Sequence, residues 1–246
     1  MKLTISVIIP AYNEEKDIAK CLDSLMHQTV KPDEIILVNN NSTDATVSIA
    51  SEYPSVKIIN EKQKGITYTR TTGFNAAKSD IIARIDADTI ASRNWIQAIK
   101  KNFADDKEAC GLSGRTAVRE LSPGKLFWFS FLNHLTRKIG DMHVGISRPL
   151  MSGCNMAIRR SVWDKIKNHV HLDDQEVSED VDISLFVLRT GKIVHCRDML
   201  VKTRMVEIFF NIPKLARYSR TNKNTVLKHK LLNPKLDFKY EIDSGR

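Results

Sequence analysis

Residues Ile81-Ile82-Ala83-Arg84-Ile85-Asp86-Ala87-Asp88-Thr89 form a mostly apolar run that ends in two carboxylates one residue apart. An apolar run of this length predicts a buried strand. Acidic side chains at the exit of such a strand need a partner, because an unpaired buried charge is costly. A divalent cation suits them, since one or two carboxylates can hold it while substrate phosphates supply its other ligands. Two such acids are also common in surface turns, but their position after a buried strand favours a metal and diphosphate site.

Short apolar runs alternate with amphipathic segments before this strand and just beyond it. Such alternation is typical of a doubly wound, mostly parallel α/β sheet, whose ligands bind at the carboxyl ends of the strands. The first helix follows Asn13, a favourable N-cap residue. The pattern predicts strands at 5–9, 35–38 and 56–59, and helices at 14–27, 43–53, 67–78 and after Ser92.

Beyond residue 105 the alternation becomes irregular. A helix is predicted at 178–190, with Gly191 as its C-terminal stop, and a strand at 192–196. No internal repeat or low-complexity linker divides the chain. We therefore predict one domain with halves at 1–105 and 106–205, followed by a basic extension at 206–246.

The composition is that of a globular protein. The 246 residues are 42% hydrophobic and 27% charged, which argues against disorder. The first ten residues lack the features of a signal peptide, and no run of about eighteen apolar residues predicts a membrane-spanning helix. The four cysteines are widely spaced and are expected to be reduced thiols. These observations predict a cytoplasmic protein.

The net charge of +9 is concentrated near the C-terminus, where residues 202–246 contain eleven Lys or Arg and four Asp or Glu. Such a segment favours an anionic partner, although a solvated basic face is an equally good interpretation. Two aromatic patches, at 126–132 and 208–214, suit a membrane interface, core packing or a homodimer contact. Peripheral contact with an anionic membrane, at its inner face, is therefore one hypothesis for this chain.

Polar side chains also follow the first two predicted strands. Residues 10–14 read Pro-Ala-Tyr-Asn-Glu, and residues 39–44 read Asn-Asn-Asn-Ser-Thr-Asp. Each cluster alone is what a strand-to-helix turn uses for capping. Two clusters at neighbouring strand ends favour a crevice that can hydrogen-bond a base and a ribose.

Taken in order, these segments closely resemble family 2 glycosyltransferases of the GT-A fold. The resemblance covers roughly residues 4–205 and rests on motifs at 6–15 and 33–44, on Gly65 and Arg70, and on Asp86-Ala87-Asp88. It implies an α/β GT-A domain with a nucleotide-sugar-binding half at 1–105. Residues 106–205 would be its irregular half for acceptor binding and catalysis.

The resemblance also implies a nucleotide-diphosphate sugar donor that lies across the strand ends. The Asp86-Ala87-Asp88 motif would meet the donor: Asp86 would contact the ribose or the metal, and Asp88 would ligate Mg²⁺ or Mn²⁺ that bridges the diphosphate. This metal would offset charge on the departing diphosphate. The other implied donor residues are Pro10, Tyr12 and Glu14 around the base and ribose, Asn39 facing the base, and Arg70 near the phosphates.

Inverting transfer also needs a general base, and Glu179-Asp180 matches the Glu-Asp motif of the family. Asp180 is the expected base, with Glu179 next to it. The alternative is that these acids only stabilise the N-terminus of a helix. Gly153 and Asn155 lie in a segment that resembles the family's region beside the donor sugar and the acceptor, where Gly153 would allow close approach of the backbone.

Three features depart from the family pattern. Asn39 stands where many members have Asp, which makes a preference for uracil less secure. The Gln-x-x-Arg-Trp motif of processive synthases is missing, so transfer of a single sugar to a glycan or lipid-linked acceptor is expected. Thr203 stands near the position where some relatives have a metal-binding His.

Two other functions are alternatives for this sequence. A nucleotidyltransferase that makes sugar nucleotides shares the α/β layout, but it needs a Gly-rich basic loop after the first strand, and residues 11–14 do not form one. A basic nucleic-acid-binding module needs basic and aromatic residues on one face. Acidic strand ends would repel nucleic acid, so no nucleic-acid partner is expected.

Overall fold

The computed structural model describes residues 3–119, 150–173, 175–204 and 212–232. Strands and helices alternate through the first half, as the sequence predicts. The strands are β1 Ile5–Ala11, β2 Glu34–Asn39, β3 Val56–Asn60, β4 Ile81–Arg84, β5 Ile90–Ala91, β6 Ala109–Val118, β7 Met156–Arg159 and β8 Lys192–Thr203. The helices are α1 Ile18–Met26, α2 Thr46–Ser51, α3 Ile66–Ala76, α4 Trp95–Asp105, α5 Arg160–Ile166, α6 Glu179–Thr190 and α7 Ile212–Leu232.

All eight strands form one mixed sheet in the order β3-β2-β1-β4-β7-β6-β8-β5. The pairs that join β1, β2, β3 and β4 are parallel, and β6 also pairs with β8 in parallel. Strand β7 runs antiparallel to both of its neighbours, β4 and β6. It is therefore the element that joins the predicted N-terminal half to the irregular second half.

Helices cover both faces of the sheet. Side chains of a strand alternate between faces, so Val7 of β1 packs in the cluster of α1 and α4, whereas Ile8 packs in the cluster of α3, α5 and α6. Gly73 allows α3 to lie close to the sheet, because a Cβ at this position would collide with the Ile8 side chain. This packing fixes the strand ends at which the predicted site lies.

The predicted N-cap of the first helix is wrong. Helix α1 begins at Ile18, and Asn13 instead has a φ of 54° in the loop before it. Its side-chain oxygen accepts a hydrogen bond from the Thr43 backbone N–H at 2.8 Å. Asn tolerates this left-handed conformation better than most residues, so Asn13 joins two loops of the site rather than starting a helix.

The second half is more regular than predicted. Strand β8 continues to Thr203 instead of ending near residue 196, because it pairs with β6 along most of its length. The predicted aromatic patch at 126–132 and most of the patch at 208–214 lie outside the described residues. None of the helices in the described ranges combines the length and apolar character needed to cross a membrane.

Candidate active site

The carboxyl ends of three parallel strands meet at one edge of the sheet. Strand β1 lies between β2 and β4, so the loops after Ala11, Asn39 and Arg84 are neighbours. A hydrogen bond from the Asn40 backbone N–H to the Ala11 carbonyl (2.9 Å) joins the first two loops. The polar clusters and the acidic motif that the sequence singles out are therefore brought together.

The acidic motif lies in the turn directly after β4. Ala87 is buried, while the carboxylates of Asp86 and Asp88 are partly exposed. The Arg84 side chain, 2% exposed, donates from Nη2 to Asp86 Oδ1 at 2.9 Å. One of the two acids thus has a cationic partner within the protein.

The same arginine reaches the second acidic motif. Arg84 Nη1 donates to Glu179 Oε1 at the first residue of α6. Arg70 of α3, which is fully buried, contributes a second cation: its Nη1 lies 3.2 Å from the Glu179 carbonyl oxygen and 3.5 Å from Oε2. Glu179 is thereby held by two guanidinium groups, and the two motifs are joined through Arg84.

Asp180 has different surroundings from Glu179. Its Oδ1 accepts hydrogen bonds from the Ser178 hydroxyl (2.8 Å) and the Val181 N–H (2.9 Å), and its Oδ2 lies 3.4 Å from the Gly153 N–H. Burial raises the pKa of Asp180, and the neighbouring Glu179 charge raises it further. Asp180 therefore holds a proton more readily than an ordinary aspartate and has no direct cation contact of its own among the described residues.

Asp88 follows β4 in the chain and also contacts the end of β8. Its Oδ1 accepts a hydrogen bond from the Thr203 hydroxyl at 3.1 Å, and its carbonyl oxygen accepts one from Arg119 Nη1 at 3.1 Å. Thr203 was expected near the position of a metal-binding His in some relatives. The structure places it in contact with the motif, as a hydroxyl that orients Asp88.

Two further acids lie near the motif. Asp17, buried at the start of α1, forms ion pairs with Arg119 (3.0 Å) and Arg204 (3.1 Å). Burial raises the pKa of Glu14 to about 7, and repulsion from Asp88, the largest of the carboxylate contributions, adds to this effect. An excess of negative charge is what a divalent cation would relieve.

The other predicted donor residues lie at the ends of β1 and β2. Pro10 is a buried residue of β1, and Tyr12 is 45% exposed with Lys64 Nζ 5.0 Å from its ring centroid. The Asn39 amide is bonded within the protein, donating to Asn60 Oδ1 at 2.9 Å and accepting from the Ser42 N–H at 3.0 Å. Tyr12 is thus partly exposed with the Lys64 ammonium over its ring, whereas Asn39 is already engaged.

Gly153 and Asn155 have structural surroundings. A Cβ on Gly153 would lie 2.9 Å from Glu179 Oε1 and 3.1 Å from Arg84 Nη2, so the absence of a side chain allows this ion pair to form. Asn155 is fully buried; its amide nitrogen donates to the carbonyls of Arg115 and Met199, and its oxygen accepts from Trp95 Nε1. These contacts favour supporting roles for both residues, and their predicted place beside the acceptor stays a prediction.

Comparison with known proteins decides the family. The model of "Glycosyl transferase family 2" matches residues 6–167, which is more than half of the chain. The chain belongs to glycosyl transferase family 2. This membership identifies a glycosyltransferase rather than a nucleotidyltransferase or a nucleic-acid-binding module.

A curated relative supports this assignment. Glycosyltransferase GlyA of Streptococcus pneumoniae is 32% identical over 132 residues, which are 52% of this chain and 19% of GlyA. The chain spans about half or less of the length of the first curated relatives that it matches. The family therefore rests on the model match, and the activities, substrates and partners of these relatives are not carried over to the chain.

Two solved structures show that the fold is GT-A. Glucosyl-3-phosphoglycerate synthase of Mycobacterium tuberculosis, in complex with Mn²⁺, UDP and phosphoglyceric acid, has a TM-score of 0.66 at 17% identity, over 92% of this chain and 78% of that one. The mannosyltransferase PcManGT of Pyrobaculum calidifontis, in complex with GDP-Man and Mn²⁺, has a TM-score of 0.61 at 16% identity, over 95% and 76%.

Three arginines of this family 2 site were missed by sequence reasoning. Arg84 stands inside the quoted strand, and Arg119 and Arg204 follow strands β6 and β8. A charged residue in an otherwise apolar strand was the available signal for Arg84, because a buried cation needs an anionic partner. Nothing in the sequence near Arg119 or Arg204 points to Asp17, which is distant in the chain.

Proposed function

We propose that the chain is an inverting, metal-assisted glycosyltransferase that transfers a single sugar from a nucleotide-diphosphate sugar, with UDP as the expected nucleotide. The acceptor would be a hydroxyl of a glycan or a lipid-linked molecule, as in cell-envelope glycan synthesis. The observation that carries the proposal is the position of Arg84, which contacts Asp86 on one side and Glu179 on the other. Both acidic motifs therefore face one site.

Asp86 and Asp88 would hold Mn²⁺ or Mg²⁺. Their carboxylate oxygens are the ligand type that both ions prefer, and the raised pKa of Glu14 reflects burial and an excess of negative charge that a cation would balance. Bound there, the ion would offset charge on the departing diphosphate. Mn²⁺ in the two solved structures belongs to those proteins and supports the proposal by analogy only.

The donor base and ribose would lie at the ends of β1 and β2. The exposed ring of Tyr12 offers a surface on which a base can stack, and Pro10 and Glu14 flank it along the chain. Asn39 would face the base once its present hydrogen bonds rearrange. Arg70 would act through Glu179, because its buried guanidinium contacts that residue.

Asp180 would be the general base. Two arginines engage Glu179, whereas Asp180 has no such partner among the described residues, and burial raises its pKa toward the range in which a base works efficiently. Asp180 would take the proton of the acceptor hydroxyl as the oxygen attacks the anomeric carbon, and the bond to the diphosphate breaks. General-base assistance of this kind is worth about 10²–10⁴ in rate.

A thermal-shift screen tests the donor part of the proposal. UDP-, GDP- and dTDP-sugars are added with and without Mn²⁺ to the wild type, to Asp88→Asn and to the control Asp105→Asn, an exposed acid at the end of α4. We expect one nucleotide class to stabilise the wild type and the control only with Mn²⁺, and to have no metal-dependent effect on Asp88→Asn. The proposal would be overturned if none of the sugar nucleotides gave a metal-dependent stabilisation.

The location that we propose is cytoplasmic, with peripheral contact to the inner, anionic face of a membrane. The composition of helix α7 favours this contact. It contains six basic and no acidic residues, and its Leu227 and Leu231 are exposed. A basic helix with exposed apolar residues suits an anionic lipid surface. A homodimer that covers this helix stays an alternative.

A further inference from the structure

We propose that His171, Asp182 and His229 form a second metal site, for Zn²⁺ or a similar nitrogen-preferring ion, separate from the acidic motif after β4. His171 belongs to the loop before α6, Asp182 to α6 and His229 to α7. Their ligand atoms all lie within 4.8 Å of one another. Three chain segments that are distant in sequence thus place two imidazoles and one carboxylate at a single point.

The geometry of the cluster is close to that of a metal centre. His171 Nδ1 and His229 Nε2 both lie 2.7 Å from the same oxygen, Asp182 Oδ1. Ligand atoms of a tetrahedral Zn²⁺ lie about 3.3 Å apart, given metal–ligand distances of about 2.0–2.1 Å. Admission of the ion would lengthen each nitrogen–oxygen distance by roughly 0.6 Å and would set the two nitrogens, which lie within 4.8 Å of each other, at the same spacing.

The Asp182 carboxylate is oriented by contacts to both of its oxygens. Its Oδ1 accepts from both rings, and its Oδ2 accepts from the His171 backbone N–H at 2.9 Å. His229 Nδ1 is buried and has no hydrogen-bond partner among the described residues. With Nε2 on the ion, the ring would carry its proton at Nδ1, and that N–H would need a water or a shifted acceptor.

The surroundings suit a structural ion with one open position. Asp182 and His229 are fully buried, and the Phe186 ring packs edge-on against His229 with centroids 4.5 Å apart. The His171 side chain is 28% exposed, so a water can complete the coordination from that side. Two imidazoles and a carboxylate favour Zn²⁺ over the Mg²⁺ or Mn²⁺ expected at an all-oxygen site.

The second site faces away from the proposed base. Asp180 and Asp182 are two residues apart on α6, and residues at this spacing point to nearly opposite sides of a helix. The ion would therefore tie α7 to the back of the helix that begins with the Glu-Asp motif. Its role would be to hold α7 in place rather than to contact the sugar donor.

Metal binding by the whole chain tests this inference. Protein stripped with a chelator is titrated with Zn²⁺ by calorimetry, and Co²⁺ is added separately to record the visible spectrum of a tetrahedral site. The variants are His171→Gln, which alters the partly exposed ligand, and Asp88→Asn, which disables the proposed donor site. The control is His27→Gln, which alters an exposed histidine directly after α1.

We expect one Zn²⁺ per chain in the wild type, in His27→Gln and in Asp88→Asn. His171→Gln should bind it more than about 100-fold more weakly, since loss of an outer-shell partner alone costs about 10–100-fold. Zn²⁺ should also slow hydrogen exchange in residues 212–232. Equal affinity of His171→Gln and the wild type, no stoichiometric binding, or loss of binding in Asp88→Asn would each overturn the second site. The last result would leave the donor site itself intact as a proposal.

Discussion

Arg84 is the residue on which the candidate site depends most. It is a buried cation in an apolar strand, and its two nearest anions come from different motifs, Asp86 and Glu179. Neither acid is fully buried, but each lies against a guanidinium that water does not reach. A single side chain thus sets the distance between the part of the site that would bind the diphosphate and the part that would accept a proton.

Replacement of Arg84 should destabilise the fold as well as the site. We expect Arg84→Met to lower the free energy of unfolding by roughly 3 kcal/mol, the lower end of the range for a broken buried ion pair, because Asp86 stays partly solvated. Urea denaturation measures this change. The exposed Arg160→Met is the matched control and should change stability by less than about 0.5 kcal/mol. Equal stability of the two variants would contradict the linking role of Arg84.

The pKa of Asp180 predicts a particular pH dependence. The base works only when ionised, and burial beside Glu179 raises its pKa above the ordinary aspartate value of 3.8. Activity should therefore be lost as the pH falls through this raised pKa, at a higher pH than an ordinary aspartate would give. The fold has the opposite dependence: the protonated form is favoured in the folded state, so the contribution of Asp180 to stability declines as the pH rises through the same range.

The loss of activity at low pH is measured from the pH dependence of kcat/KM for nucleotide release from the donor. A profile that stays flat down to about pH 4, near the reference pKa of aspartate, would contradict the assignment of Asp180 as the base.

At the level of elements, α6 is the helix that joins the site to the C-terminal part of the chain. Its N-terminus carries Glu179 and Asp180, and the Ser178 N–H just before it donates to the Thr225 hydroxyl of α7 at 2.8 Å. Further along, Arg189 Nη2 donates to the His229 carbonyl at 3.2 Å. Helix α7 therefore packs against α6 and supports the end that carries Glu179 and Asp180.

The contact between α6 and α7 can be tested at Thr225. Thr225→Val removes the acceptor of the buried Ser178 N–H and should lower the free energy of unfolding by about 1–3 kcal/mol. Thr225→Ser keeps the hydroxyl and should retain most of the stability. Denaturant unfolding of the two variants measures the difference, and equal losses in both would indicate that packing of the methyl group matters more than the hydrogen bond.

The elements show which features sequence could predict. Continuous apolar runs predicted β1, β2 and β4 correctly, because strands buried on both faces leave a strong local signal. The start of α1 was wrong, since Asn13 suits a left-handed loop position as well as a helix cap. The length of β8 depends on its pairing with β6. The contacts of Arg84, Arg119 and Thr203 depend on tertiary packing. Local sequence patterns therefore do not predict these features.

For the molecule as a whole, charge is divided between two regions. The strand ends present Glu14, Asp86 and Asp88, whereas α7 presents basic side chains that include Arg220 and Lys223. A divalent ion with a diphosphate suits the first region, and an anionic surface suits the second. The overall charge of +9 is therefore consistent with an acidic site on a basic protein.

Vesicle binding tests the basic region. We expect co-sedimentation with vesicles that contain anionic lipid, little with purely zwitterionic ones, and loss of binding at high salt. Arg220→Glu combined with Lys223→Glu should weaken binding by more than about tenfold, since each basic residue near the surface contributes about 1 kcal/mol. Lys107→Glu, an exposed control before β6, should change it little. Equal binding to both kinds of vesicle would contradict an electrostatic contact.

The central claim is that one acidic motif binds the donor and the other performs the proton transfer. The most direct measurement compares wild type, Asp88→Asn and Asp180→Asn for two quantities: calorimetric affinity for the stabilising sugar nucleotide with Mn²⁺, and the rate of nucleotide release. We predict that Asp88→Asn loses affinity, whereas Asp180→Asn binds the donor as the wild type does but releases nucleotide about 10²–10⁴ times more slowly. Nucleotide release by Asp180→Asn at the wild-type rate would contradict the account.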